Sequence, residues 1–259
     1  LRFAITHPAK IESSMRIALG QINTTVGDLA GNAALILKTA RKAAEGGADV
    51  VVFPELSLIG YPPQDLLDRP ALFEQAARSL DQLAADAASL RIAIICGAVE
   101  QAAVNEGKRI WNTAAVLQRG KVHFRQHKML LPNYDVFDEQ RYFRSADKQD
   151  LLQLGATPVA LTICEDAWND KRYWDKRLYE RDPVDELAAQ GAKVLISINA
   201  SPYQIGKRAR RRDIFAAAAR HHGIPVVYVN QVGGNDQLVF DGSSFALDPT
   251  GKLIAQAAS

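Results

Sequence analysis

The chain has 259 residues, 47% of them hydrophobic and 23% charged, with a net charge of +2, which is the composition of an ordinary globular protein long enough for a full core, in one large α/β domain without need of a second. So small a net charge gives no grip on nucleic acid or on an acidic membrane surface, and no apolar stretch approaches the ~20 residues needed to span a bilayer. Two cysteines, Cys96 and Cys164, lie in or beside strand-like runs, allow one disulfide at most, and point to a reducing, cytoplasmic setting.

Residues 1–14 hold no long apolar segment of the secretory kind, and Met15 is followed by a clean strand pattern. The expectation is an N-terminal extension over 1–14 and one domain over 15–259. Residues 16–23 predict a strand, and Gly27-Asp28 opens a helix with Leu29, Ala33, Ile36, Leu37 and Ala40 on one side, ended by Gly46-Gly47. Residues 50–53, V-V-V-F, predict a buried strand closed by Pro54, so that Glu55 emerges at its carboxyl end. A loop stiffened by Tyr61-Pro62-Pro63 leads to a helix over 71–90 with apolar residues at helical spacing, then to a strand over 92–99 that contains Cys96.

From there strand-helix alternation gives way to a hairpin, 111–118 and 122–127, turning at Arg119-Gly120-Lys121 and delivering Lys128 at its end. Residues 129–143 mix Pro, Asn, Asp and aromatics without a period and predict an ordered loop. The apolar run 159–163 then breaks at Cys164 and is followed at once by Glu165 and Asp166, a strand handing a thiol to a polar loop. Beyond it come helices over 183–190 and 207–222, strands over 194–199 and 225–230, and a terminal hairpin, 243–247 and 253–257, turning at Asp248-Pro249-Thr250-Gly251.

Three strand ends therefore present Glu55, Lys128 and Cys164. A thiol of ordinary pKa is only a few per cent thiolate at neutral pH, so a cysteine nucleophile gains from a nearby base, and Glu55 is the candidate. Attack on an amide or nitrile carbon puts negative charge on the substrate heteroatom, which a fixed ammonium and a backbone N–H stabilise; Lys128 and the amide of Glu165 are candidate donors. Each residue alone reads as a solvated loop residue or a small buried hydrophobe; their joint placement carries the inference. Cys96 sits mid-strand with no charged neighbour and is expected in the core. The histidines make no zinc-ligand set with the cysteines, so no metal is expected.

F-P-E at 53–55, H-K at 127–128 and I-C-E-D at 163–166 resemble, in that order, the glutamate, lysine and cysteine motifs of the nitrilase (carbon-nitrogen hydrolase) superfamily. That resemblance implies a four-layer α-β-β-α sandwich, with Glu55 as general base, Lys128 as oxyanion support and Cys164 as the nucleophile that forms a thioester. The stretches from His127 to Phe143, Cys164 to Trp168, Asn199 to Lys207 and Val232 to Gly242 are similar, more narrowly, to the glutaminase domains of glutamine-dependent NAD+ synthetases. By that resemblance L-glutamine is held by Tyr134, Ser201 and Lys207, with Glu165 in the substrate site. Ammonia would pass to an ATP-pyrophosphatase-like synthetase domain to which ATP and Mg would belong, this domain having no cofactor of its own, and the assembly would be a homo-oligomer. A stand-alone amidase acting on another small amide and a catalytically silent binding domain are the competing readings. Lys207 opens the basic run Lys207, Arg208, Arg210, Arg211, Arg212, most of whose charges are expected on a solvated face and not in a nucleic-acid patch. Gly233-Gly234-Asn235-Asp236 superficially resembles a pyrophosphate loop but lacks the flanking serines, and no ATP site is assigned to it.

Overall fold

The computed structural model describes residues 15–103, 107–174, 176 and 178–259, so the expectation for residues 1–14 lies outside the described residues. The first half of the chain runs β1 (Ile17–Leu19), α1 (Leu29–Glu45), β2 (Val50–Val52), α2 (Pro70–Asp86), β3 (Ala93–Gln101), β4 (Ile110–Gln118) and β5 (Lys121–His127). These five strands form one sheet in sequence order, parallel from β1 to β3 and antiparallel from β3 to β5. After α3 (Glu139–Tyr142) come β6 (Leu152–Leu154), β7 (Thr157–Ile163), α4 (Pro183–Ala189), β8 (Val194–Asn199), α5 (Lys207–His222), β9 (Val226–Asn230), β10 (Val232–Asn235), β11 (Leu238–Asp241), β12 (Phe245–Leu247) and β13 (Leu253–Gln256). The second sheet has the order β13-β12-β9-β8-β7-β6, parallel through β7, β8 and β9, while β10 and β11 pair only with each other.

The period-2 pleat sorts every central strand between two cores. Val50, Val52, Ala93, Ile95, Ala114 and Val116 of the first sheet meet Val159, Leu161, Ile163, Val194, Ile196, Ile198, Val227 and Val229 of the second in one buried cluster between the sheets. The alternate residues face outward: Val51, Ile94, Cys96 and Ala115 pack under α1 and α2, and Ala160, Leu195, Val226 and Tyr228 pack under α4 and α5. The result is the α-β-β-α order of layers implied by the resemblance. Strands buried on both faces read as unbroken apolar runs, which is why V-V-V-F and V-A-L-T-I carry no alternation. Each fully buried aliphatic side chain contributes about 1.5–3 kcal/mol.

The ends follow local chemistry. Asp28 caps α1 by accepting from the Gly31 N–H at 2.8 Å, and Gly47, at φ +75°, carries the chain away after it. Arg119 and Gly120 both take positive φ and close the β4–β5 hairpin as a two-residue turn. Against the sequence expectation β1 is shorter, because its ladder partner β2 is only three residues long. The loop 129–143 contains the single turn α3, and Gly233-Gly234-Asn235-Asp236 belongs to the β10–β11 hairpin, whose turn residue Asp236 has φ +50°.

Gly97 is where the first sheet meets the site. A Cβ there would stand 1.9 Å from the backbone nitrogen of Leu56, the residue after Glu55, while the Gly97 N–H donates to the Pro54 carbonyl at 3.2 Å and its carbonyl accepts from the Leu58 N–H at 2.9 Å. Gly97→Ala should therefore lower stability by about 3 kcal/mol or more, since backbone rather than a flexible side chain must move. An unchanged urea midpoint would contradict that close approach.

Candidate active site

The residues that follow β2, β5 and β7 lie together. Beyond β2, Glu55 is fully buried, as is Lys128 beyond β5, and the Lys128 Nζ donates to Glu55 Oε1 at 2.7 Å. The same ammonium donates to both oxygens of Glu139, at 2.9 and 2.7 Å. Glu139 stands in the motif from His127 to Phe143 but has no signal of its own, because only the short α3 turns it back onto Lys128. Asn112 Nδ2 on β4 donates to Glu55 Oε1 at 2.8 Å, the Ala200 N–H donates to Glu55 Oε2 at 3.1 Å, and the Tyr61 hydroxyl donates to Glu139 Oε1 at 3.0 Å. Burial pushes the Glu139 carboxyl up to about 7 against the pull of Lys128. For Lys128 burial works toward loss of the proton, but the two carboxylates outweigh it and hold the ammonium well above its ordinary value.

Cys164 follows β7 directly with φ +45°, a left-handed conformation that is strained for a residue with a Cβ. Its geometry is held by Asp166, which accepts from the Met129 and Leu130 N–H groups at 3.0 and 2.8 Å with one oxygen, and from the Ile163 N–H and Gln149 Nε2 at 3.2 and 2.9 Å with the other. One buried carboxylate thus ties the segment after Lys128 to the segment around Cys164. Burial raises Asp166 to about 6. The Cys164 thiol is raised well above its ordinary value, first by burial and then by the Glu55 carboxylate, with Lys128 opposing; it is a neutral thiol at rest. Cys96 is core as expected, 0% exposed and pushed to about 12 by burial.

Cys164 opens onto a cavity of about 290 Å³ whose lining includes Tyr134, Glu165, Trp168, Ser201 and Lys207. All four residues singled out as substrate contacts therefore share one cavity with the cysteine. The Tyr134 hydroxyl is committed to Glu165, at 2.8 and 3.0 Å from its two oxygens, and the Tyr179 hydroxyl, which carried no sequence signal, donates to the same carboxylate at 3.0 Å. The Lys207 ammonium lies 5.5 Å from the Phe137 ring centre and 5.7 Å from that of Trp168. Burial lowers Lys207 and raises Glu165, each opposed by neighbours of the other sign or by hydrogen bonds. The expectation of a solvated basic face fails for Arg211, which is 1% exposed and paired with Asp241; its helix turns that one position under the sheet-facing side.

Among the described residues one group of three possible metal ligands lies together, Asp185, His221 and His222. Their ligand atoms lie within 4.8 Å of one another; the two imidazoles stack in parallel with centres 4.2 Å apart, and Asp185 is paired with Lys171.

Fold and site together define an α-β-β-α sandwich enzyme whose cysteine faces a buried acid–amine cluster. The carbon-nitrogen hydrolase family profile matches residues 16–259, and the chain belongs to that family. It is 43% identical over 244 residues to the glutamine-dependent NAD(+) synthetase of Synechocystis, covering 93% of this chain and 44% of that protein. The Thermotoga maritima protein of the same description is 34% identical, with 93% and 39% covered. Among solved structures, the glutamine-dependent NAD+ synthetase of Acinetobacter baumannii in complex with ADP superposes with a TM-score of 0.82 at 33% identity over 95% of this chain and 43% of that one. An amidase of the nitrilase superfamily from Nesterenkonia superposes with a TM-score of 0.79 at 26% identity, over 94% of this chain and 86% of its own. The chain spans less than half the length of the synthetases it matches.

Asp166 and Glu139 keep protons in the folded state at pH values where the unfolded chain has released them, so their contribution to stability falls as pH rises from the ordinary carboxylate range to about 7. Asp166→Asn should be less stable overall, by about 1–3 kcal/mol for the lost acceptors, yet show a flatter dependence of the urea midpoint on pH across that window. A slope equal to that of the unaltered protein would contradict the burial of a titrating Asp166.

Proposed function

We propose that the chain is a glutamine amidohydrolase domain that releases ammonia through a γ-glutamyl thioester on Cys164. The observation that carries the reading is the cavity over Cys164, which offers one buried carboxylate, Glu165, and one half-buried ammonium, Lys207, to a small ligand. A free amino acid is a zwitterion and requires that pair of opposite charges, whereas a simple amide does not. Glu165 with Tyr134 receives the α-ammonium, Lys207 and Ser201 receive the α-carboxylate, and the side-chain amide reaches Cys164.

Glu55 takes the thiol proton as the sulfur attacks the amide carbon, so the charge that leaves sulfur accumulates on the amide oxygen. Lys128 and the backbone N–H of Glu165 stabilise that oxygen. Collapse breaks the C–N bond, the proton on Glu55 passes to the departing nitrogen, and ammonia leaves a thioester behind. Water then attacks the thioester carbon, giving its proton to Glu55, and the second collapse returns that proton to sulfur and frees glutamate. Holding the thiol neutral until substrate arrives fits this order, because burial first, and then the negative charge of Glu55, opposes an idle thiolate. In this reading the ammonia serves a synthetase domain of ATP-pyrophosphatase type, and ATP and Mg belong to that domain; the similarity to the synthetases of Synechocystis and Thermotoga maritima supports it. The 86% coverage of the Nesterenkonia amidase supports a second reading, a self-sufficient amidase for another small amide.

Ammonia release from L-glutamine, L-asparagine and simple aliphatic amides separates the two. Glutamine should be preferred, Cys164→Ala should abolish release, and Glu55→Gln should reduce kcat about 10²–10⁴-fold. Lys207→Ala should remove most of the preference for glutamine over aliphatic amides. Faster release from aliphatic amides by the unaltered protein would favour the amidase reading.

A further inference from the structure

Arg211 is among the largest fully buried side chains, although Arg208 and Arg210 in the same run are exposed and Arg212 is half-buried. Its guanidinium is spent almost entirely on the turn that follows β8. Nε donates to Ser201 Oγ at 3.2 Å, and Nη2 donates to the Ser201 and Pro202 carbonyls at 2.7 and 2.8 Å. Nη1 reaches Asp241 at the end of β11 at 2.5 Å. Burying such an ion gains little stability over a well-packed apolar residue, so a planar fork held in this geometry is better understood through what it orients.

What it orients lies in the site: Ser201 lines the Cys164 cavity. Asn230 grips the same turn by accepting from the Ser201 N–H at 2.8 Å and donating to the Ser201 carbonyl at 3.1 Å. The Arg211 Nε–H occupies a lone pair of Ser201 Oγ, and a hydroxyl that accepts from a guanidinium directs its own O–H away from it.

We infer that Arg211, braced by Asp241, is a positioning residue that fixes Ser201 as a hydrogen-bond donor to an anionic oxygen of the substrate and so sets selectivity for ligands carrying a carboxylate. This rests on the glutamine reading above and adds to it the device by which the carboxylate end is recognised. The Ser201 hydroxyl serves the substrate, and Arg211 acts only through it.

The test compares L-glutamine with 4-aminobutanamide, which is glutamine without its α-carboxylate, in the unaltered chain and in Arg211→Lys. Lysine keeps the charge but offers a point donor in place of the fork. The expected result is a tenfold or larger rise in KM for glutamine with kcat within about threefold, and an unchanged kcat/KM for 4-aminobutanamide. Equal losses on both substrates, or no change on either, would overturn the inference, since a merely structural role moves the two together. If the unaltered chain shows no preference for glutamine over 4-aminobutanamide, the glutamine reading falls and takes the inference with it. If Arg211→Lys does not fold, Asp241→Asn carries the test: it should show a smaller rise of the same kind, and should add nothing in a Ser201→Ala background, where the donor is already gone. Additive losses in the double variant would contradict action through Ser201.

Discussion

The ion cluster of Glu55, Lys128 and Glu139 is the constraint on which the rest of the structure depends. Two carboxylates share one ammonium in a place closed to water. Removing those charges from solvent costs several kcal/mol per ion unless every lone pair and proton finds a partner. Asn112, Ala200 and Tyr61 supply the remaining donors, so a side chain from β4, a backbone amide beyond β8 and a loop tyrosine are all committed to one point. Burial first, and the Glu55 carboxylate after it, raise the adjacent Cys164 thiol and keep its proton in place.

Sheet register makes that convergence possible. β2 and β5 of one sheet and β7 and β8 of the other end at the same rim of the inter-sheet core, and the clamp through Asp166 locks the Lys128 segment against the Cys164 segment across the gap. The strain at Cys164 is held by this over-determination. Stability of the fold and placement of Glu55, Lys128 and Cys164 are consequently carried by many of the same hydrogen bonds, and a change at Gly97 or Asp166 reaches the site without touching the cavity over Cys164.

Much of this was legible in the sequence because burial leaves a mark on composition. Strands covered on both faces read as unbroken apolar runs, and Glu55 and Cys164 are the first charged or thiol residues after two of them, whereas Lys128 follows the mixed strand K-V-H-F-R-Q-H and was legible from the hairpin that ends at it. The α5 helix was read over 207–222, the bounds it has. The roles of Glu139, Asn112, Asp166 and Tyr179 were not legible, even where a residue stands inside a recognised motif, because each acquires its role from a partner elsewhere in the chain. Arg211 was misread for a related reason: five basic residues in six positions look alike along the chain, and only the packing of α5 over its sheet singles out one. The β10–β11 hairpin was hidden by its two glycines, which resemble a loop until β11 pairs with them.

In the proposed reaction Glu55, Lys128 and Cys164 act on one amide group. A crystal structure of Cys164→Ala soaked with L-glutamine tests it most directly. The account predicts the side-chain amide carbon seated against residue 164, its oxygen within hydrogen-bond distance of Lys128 Nζ, and its α-carboxylate beside Lys207 and Ser201. Glutamine bound with its amide turned away from Lys128, or held outside the cavity, would contradict it.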